Sequence, residues 1–123
     1  MGKTIARGFL VVAGVLALIN FAAVWFALDR VTKVLGVAAP TALAESTLRG
    51  DLGALFGMFG VMAILAAVRD DRRLLLAPIL LPALAVAGRL LTYVQSPTPA
   101  AVPLIAVEAA VLVGVLLART RIG

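Results

Sequence analysis

The sequence predicts an all-α integral membrane protein, a bundle of four transmembrane helices. Three observations lead there. The chain of 123 residues is 63% hydrophobic, and only 14% of it is charged. Soluble domains run at about 45–50% apolar even with glycine counted in, and about 25% charged. Mean hydropathy is +1.15. The apolar residues fall into four runs, each near the roughly 20 residues that a spanning helix needs. The four runs use most of the chain, so residues 1–123 read as one domain. This composition excludes a soluble globule and a disordered chain alike.

The first run is Gly8–Leu28, interrupted only by Asn20. Lys3 and Arg7 supply a positive leader, and Ala42-Leu43-Ala44 has the form of a cleavage site. A signal core, however, covers only about 7–15 residues, and this site lies well past Leu28, so a retained span is expected. Val31, Val34 and Leu35 recur at helical spacing before Gly36, a C-terminal stop. Helix one should therefore continue, or bend into the interface, as far as Leu35. Ala39-Pro40-Thr41 restarts the chain, with helix two beginning near Thr41 and its span at Leu52–Val68. The charged turn Arg69-Asp70-Asp71-Arg72-Arg73 offers either aspartate as a cap for the third helix. The third span is Leu74–Val94. It contains Arg89, and also Pro78 and Pro82, which are either simply tolerated, as is common in membrane helices, or bend the helix and open the bundle below Arg89. After Gln95-Ser96-Pro97, Thr98 is placed as N-cap and Pro99 as first helical residue of the fourth span, Pro99–Ala118, which contains Glu108.

Four spans put both termini and the charged turn on one side. That side holds Lys3, Arg7, Arg69, Arg72, Arg73, Arg119 and Arg121, while the other holds Arg30, Lys33 and Arg49. Seven against three predicts cytoplasmic termini. Trp25 and Tyr93 then sit at the outer interface, where amphipathic rings collect. The net charge of +5 does not indicate a nucleic-acid partner, because the basic residues punctuate apolar runs instead of lining one polar face. Membrane lipids are the expected surroundings.

Cys and His are both absent, which removes thiol chemistry, imidazole acid–base catalysis and the usual zinc and haem ligands. No phosphate loop or nucleophile elbow occurs, so neither cofactor, metal nor catalytic set is expected. The chemical signal is Arg89 with Glu108. A charge at the bilayer centre costs about 2.5–3.5 kcal/mol on insertion scales and is rarely left alone. The two lie at similar depth on either side of the Pro97-Thr98 turn and have opposite sign. They read either as an ion pair fixing hairpin register or as a site for a polar head group, with Asn20 and Tyr93 as further contacts at the same level. Glu45, Arg49 and Asp51 stand at the outer mouth of helix two, where solvated charges are ordinary; Glu45 and Arg49 have the favourable i,i+4 spacing. Gly50, Gly53, Gly57 and Gly60 share one narrow stripe, expected to pack against another span or, alternatively, against a second copy or a partner subunit.

Four segments carry a resemblance: Leu48-Arg49-Gly50-Asp51-Leu52-Gly53, Ala87-Gly88-Arg89-Leu90-Leu91, the short proline-containing turn, and Glu108 midway along the fourth span. From about Leu48 onward the chain resembles a family of small bacterial four-span membrane proteins classed as a domain of unknown function. It is more loosely similar to the DoxX-like four-span group, whose members look like accessory subunits. The resemblance implies an all-helical plasma-membrane protein and supplies no activity. Small multidrug exporters match in length but carry their membrane carboxylate in the first span, where this chain has Asn20. The expected function is non-enzymatic: binding a lipid-like or quinone-like molecule, or packing as an accessory subunit of a larger complex. The alternative is a small proton-coupled transporter using Glu108.

Overall fold

The structure, a computed structural model, describes residues 2–123. Among these the chain is helical with no strand. Helix α1 (Gly2–Phe26) stops at Ala27, whose φ of −139° breaks the helical path. A short amphipathic helix, α2 (Leu28–Leu35), follows. Gly36 ends it in the left-handed conformation, φ 69°, as its position before the Pro40 restart implies. The break at Ala27 means that helix one bends and does not run straight on to Leu35.

Thr41 caps α3 (Ala42–Thr47) by accepting from the Ala44 N–H at 3.1 Å. One π-helical turn, Leu48–Leu52, joins α3 to α4 (Gly53–Arg69). The second helix thus runs from Ala42 to Arg69, starting next to Thr41 as expected and containing the apolar run Leu52–Val68. The hydrophobic run marks the apolar stretch alone, whereas the capped polar turn extends the helix beyond it. Asp71, not Asp70, caps the next element, accepting from the Arg73 N–H at 2.9 Å. Asp70 instead closes α4 in the left-handed region, φ 53°.

Helix α5 (Leu76–Gln95) follows a 3-10 turn at Arg72–Leu75. Pro78 falls in its first turn, where the missing N–H costs little. Pro82 stands inside the continuous helix, and both prolines are buried against the core. They fill the packed end of the bundle and do not by themselves open it. Helix α6 (Val102–Arg119) begins after a 3-10 turn at Pro99–Ala101. Thr98 is in the N-cap position, but its hydroxyl donates to the Ser96 carbonyl at 3.0 Å and caps nothing.

The four long helices are long and apolar enough to cross a membrane, making this a multi-pass membrane protein by length and composition. They pack in a ring, α1 on α4, α4 on α5, α5 on α6, and α6 back on α1. The closest pair is α1 with α4. A Cβ on Gly14 would lie 2.9 Å from the Gly60 carbonyl oxygen, and one on Gly60 would lie 2.8 Å from the Gly14 carbonyl oxygen. Gly57 faces the Phe21 ring, and Gly53 faces the Trp25 indole. The expected stripe therefore packs within the chain, with one exception. Gly50 meets nothing within 4 Å. It lies in the π turn, whose wider i→i+5 bonding shifts the helical phase and rotates Gly50 away from its fellows.

The main core cluster gathers at one end, with Val24 and Leu28 buried separately toward the other end of α1. Ala6, Leu10, Ala63, Ala66, Ala67, Leu75, Val115, Ala118 and Ile122 are buried together, and the Phe9 ring covers Gly114. Polar ties close the same end. Lys3 Nζ donates to Asp70 at 2.7 Å, the Gly123 N–H to Asp70 at 3.2 Å, and Arg7 Nε to the Ala67 carbonyl at 2.7 Å. Both ends of the described chain and the α4–α5 turn therefore share one face of the bundle. At the opposite end the α5–α6 pair is uncovered: no residue from Ala83 to Gly114 is buried.

Two expected outcomes follow from this packing. Gly60→Ala should lower thermal stability in detergent, since overpacking against backbone costs about 1–3 kcal/mol. Gly50→Ala should be neutral or raise it by up to about 1 kcal/mol, the usual helical advantage of alanine. Equal effects of the two changes would refute the close α1–α4 approach. The second concerns Asp70. Its hydrogen bond from Lys3, and then that from the Gly123 N–H, hold the carboxyl below its ordinary range. A lowered carboxylate pKa contributes stability above the unfolded value, lost as pH falls through the folded one. Melting between pH 7 and pH 3 should show a decline below about pH 4 that is smaller in Asp70→Asn.

Candidate functional site

Arg89 and Glu108 meet as their depth and sign predict. Arg89 Nε donates to both carboxylate oxygens of Glu108, each at 3.0 Å. Helical geometry explains the meeting. Pro78, Pro82, Ala85, Arg89 and Tyr93 follow one another at three- and four-residue spacing, which is a single face of α5. Glu108, Val111, Val115 and Ala118 do the same on α6. The pair thus continues the faces that form the core, but lies where no core covers it. The side chains are 31% and 24% exposed.

This contact uses only Nε. Among the described residues, Nη1 and Nη2 of Arg89 find no protein acceptor. A guanidinium carries five N–H donors, so four remain free. They border a groove of about 490 Å³ running along α5 and ending against the turn into α6. Its lining includes Ala85, Gly88, Arg89, Thr92, Tyr93 and Ser96. Gly88 would have nothing within 4 Å of an added Cβ, which leaves the groove floor open. The volume falls within the roughly 300–1,000 Å³ of small-molecule sites.

Tyr93 therefore joins Arg89, as expected, but Asn20 does not. Asn20 is exposed and lines a separate hollow of about 190 Å³ with Arg30, Val31, Val34, Leu35 and Phe56. Equal depth along the bundle says nothing of direction around it, and α1 contributes no lining residue to the Arg89 groove. The site belongs to the α5–α6 hairpin and does not open between all the helices.

The residues at the mouth of the second span behave differently again. Arg49 Nη1 lies 3.5 Å from Glu45, with both side chains more than 40% exposed, and Asp51 is exposed. An exposed pair of this kind is worth little, about 0.3–0.5 kcal/mol. Arg49 has a second role that its charge does not reveal. Its Nε donates to the Trp25 carbonyl at 3.1 Å, while the Trp25 indole N–H donates to the Arg49 carbonyl at 3.2 Å. These reciprocal bonds tie the end of α1 to the π turn, with the Trp25 ring tilted at 46° against Phe21, centroids 4.7 Å apart. Arg49 thus fastens two helices, and none of the three mouth residues lines the groove.

Sequence reasoning missed Gly88, Thr92 and Ser96 as groove residues. Their i, i+4, i+8 spacing puts three small side chains on one flank of α5, a signal present in the sequence. No group of acidic residues capable of holding a metal occurs among the described residues. Comparison of the chain with models of known protein families, with curated proteins and with solved structures finds no match. The functional reading accordingly rests on the geometry.

A double-mutant cycle tests the ion pair. Glu108→Gln should destabilise more than Arg89→Gln, because an orphaned carboxylate can take up a proton whereas an orphaned guanidinium keeps its charge. The coupling should be about 0.5–3 kcal/mol by thermal melting in detergent. Additive single effects would mean that the two side chains do not interact in the folded protein.

Proposed function

We propose that this protein is a non-enzymatic membrane protein that holds a lipid-like or quinone-like amphiphile in the α5 groove. One observation carries the reading: Arg89, whose Nη groups have no protein acceptor among the described residues, lines a groove in a stretch of the α5–α6 hairpin where no residue is buried. In a bilayer, unpaired donors are costly, and an intramembrane charge is by default a functional candidate. A head group with acceptor oxygens would satisfy these donors while its tail lies along the apolar flank of α5. The resemblance to four-span bacterial membrane proteins fits this reading, and the excess of Lys and Arg at the termini end supports cytoplasmic termini in a bacterial plasma membrane. The groove then lies in the outer half of the membrane.

Proton-coupled transport through Glu108 has less support, since both its carboxylate oxygens accept from Arg89. Mass spectrometry of the detergent-extracted protein tests the proposal. The wild-type chain should carry a co-purifying amphiphile near one-to-one. Gly88→Leu should fold normally, because its Cβ meets open space, yet lose the amphiphile by filling the groove floor. Retention of the same molecule by Gly88→Leu would remove the groove from the account. Recovery of a fixed protein partner in place of any amphiphile would replace this reading with the accessory-subunit one.

A further inference from the structure

We infer that the Arg89 groove selects an uncharged head group rich in acceptor oxygens, such as a quinone or ester carbonyl, and discriminates against an anionic one. The inference rests on the amphiphile-binding reading and specifies its chemistry. An arginine in a groove ordinarily points to phosphate or carboxylate. Here the guanidinium is already neutralised. Glu108 holds Nε symmetrically, both oxygens at 3.0 Å, so the pair carries no net charge.

A second anion at Nη1 or Nη2 would have to leave water and approach Glu108 as well as Arg89. In a medium of low dielectric its desolvation is large, and the carboxylate's repulsion offsets much of the attraction. A carbonyl oxygen faces neither cost. It accepts from Nη and leaves the site neutral.

The rest of the lining agrees. Arg89 is the single cation among the lining residues. The start of the fourth span borders the groove, and a helix start commonly offers free N–H groups to an anion. This one offers few. Pro99 and Pro103 have no N–H. The Ala101 N–H is bonded to the Thr98 carbonyl at 2.9 Å, and the Val102 N–H to the Pro99 carbonyl. The hydroxyl protons of Thr92 and Thr98 are also engaged, on the carbonyls of Gly88 and Ser96. Beyond Arg89, the hydroxyl donors left to a head group are those of Tyr93 and Ser96, which carry no charge to offset that of a phosphate.

Two probes of similar tail length separate the alternatives: decylubiquinone, an uncharged dicarbonyl, and dodecyl phosphate. Each is titrated into the full-length protein in neutral detergent, with thermal melting as the readout. The quinone should raise the melting temperature saturably, by at least ~3 °C, and the phosphate should not. The quinone effect should vanish in Gly88→Leu and in Arg89→Gln; if the latter fails to fold, Gly88→Leu serves alone. Glu108→Gln leaves Arg89 with a net positive charge and should turn the preference toward dodecyl phosphate. A saturable, groove-dependent shift with dodecyl phosphate on the wild-type protein would overturn the inference while leaving the amphiphile reading in place. Silence from both probes, with a co-purified amphiphile still present and lost in Gly88→Leu, would overturn the head-group inference alone. Silence from both and nothing co-purifying would remove the reading beneath it too.

Discussion

The architecture depends on the contact of α1 with α4 at Gly14 and Gly60. Lipid tails are as apolar as leucine, so apolar surface alone does not drive spanning helices together. What remains is close packing and hydrogen bonding. At Gly14 and Gly60 each backbone carbonyl lies within 2.9 Å of where the other residue's Cβ would be, with Ile64 and Leu18 packed alongside. With that pair held together, small residues on α4 (Ala63, Ala66 and Ala67) lie against α1, and Phe9 reaches across to Gly114 on α6. The core at the termini end is the consequence. Helices α5 and α6 join it at that end only.

Polar bonds do the remaining fastening, and they are distributed by position. At the termini end, Lys3, Arg7 and Asp70 bind three segments remote in sequence. At the opposite end of α1, Trp25 and Arg49 exchange bonds between an indole, a guanidinium and two backbone carbonyls. Along α5 and α6 the tie is Arg89 with Glu108. Arg7 and Arg89 both engage Nε alone, but only Arg89 also lines the α5 groove, and that position separates a candidate site from a fastening.

Much of this was legible in the sequence, for definite reasons. Four apolar runs of membrane length allow few architectures, and an intramembrane Arg and Glu at matched depth have few partners other than each other. The caps at Thr41 and Gly36 follow from local backbone chemistry. What escaped depends on direction around a helix. Asn20 shares the depth of Arg89 but faces a different hollow. Gly14 is a lone glycine without a repeating stripe to announce it. Gly50 belongs to the stripe by regular 100° stepping, and only the π turn, which no residue pattern signals, removes it. Arg49 looked like half of a surface ion pair because its backbone partners are invisible to a charge count.

The π turn at Leu48–Leu52 has a further consequence. A π turn holds one residue more than the α-helical turn it replaces, so it acts as a phase shifter between two otherwise regular helices. Below it, the stripe on α4 is locked to α1 by backbone contact. Within it, Arg49 is set where it exchanges bonds with Trp25, and α3 continues above at a different azimuth. Loss of a single residue here would restore regular winding and swing everything upstream by about 100°. The glycine seam would survive intact while the tie to the end of α1 was lost. The two ends of the second span are thus mechanically separable, and the helix can be tuned at its mouth without disturbing its seat in the bundle.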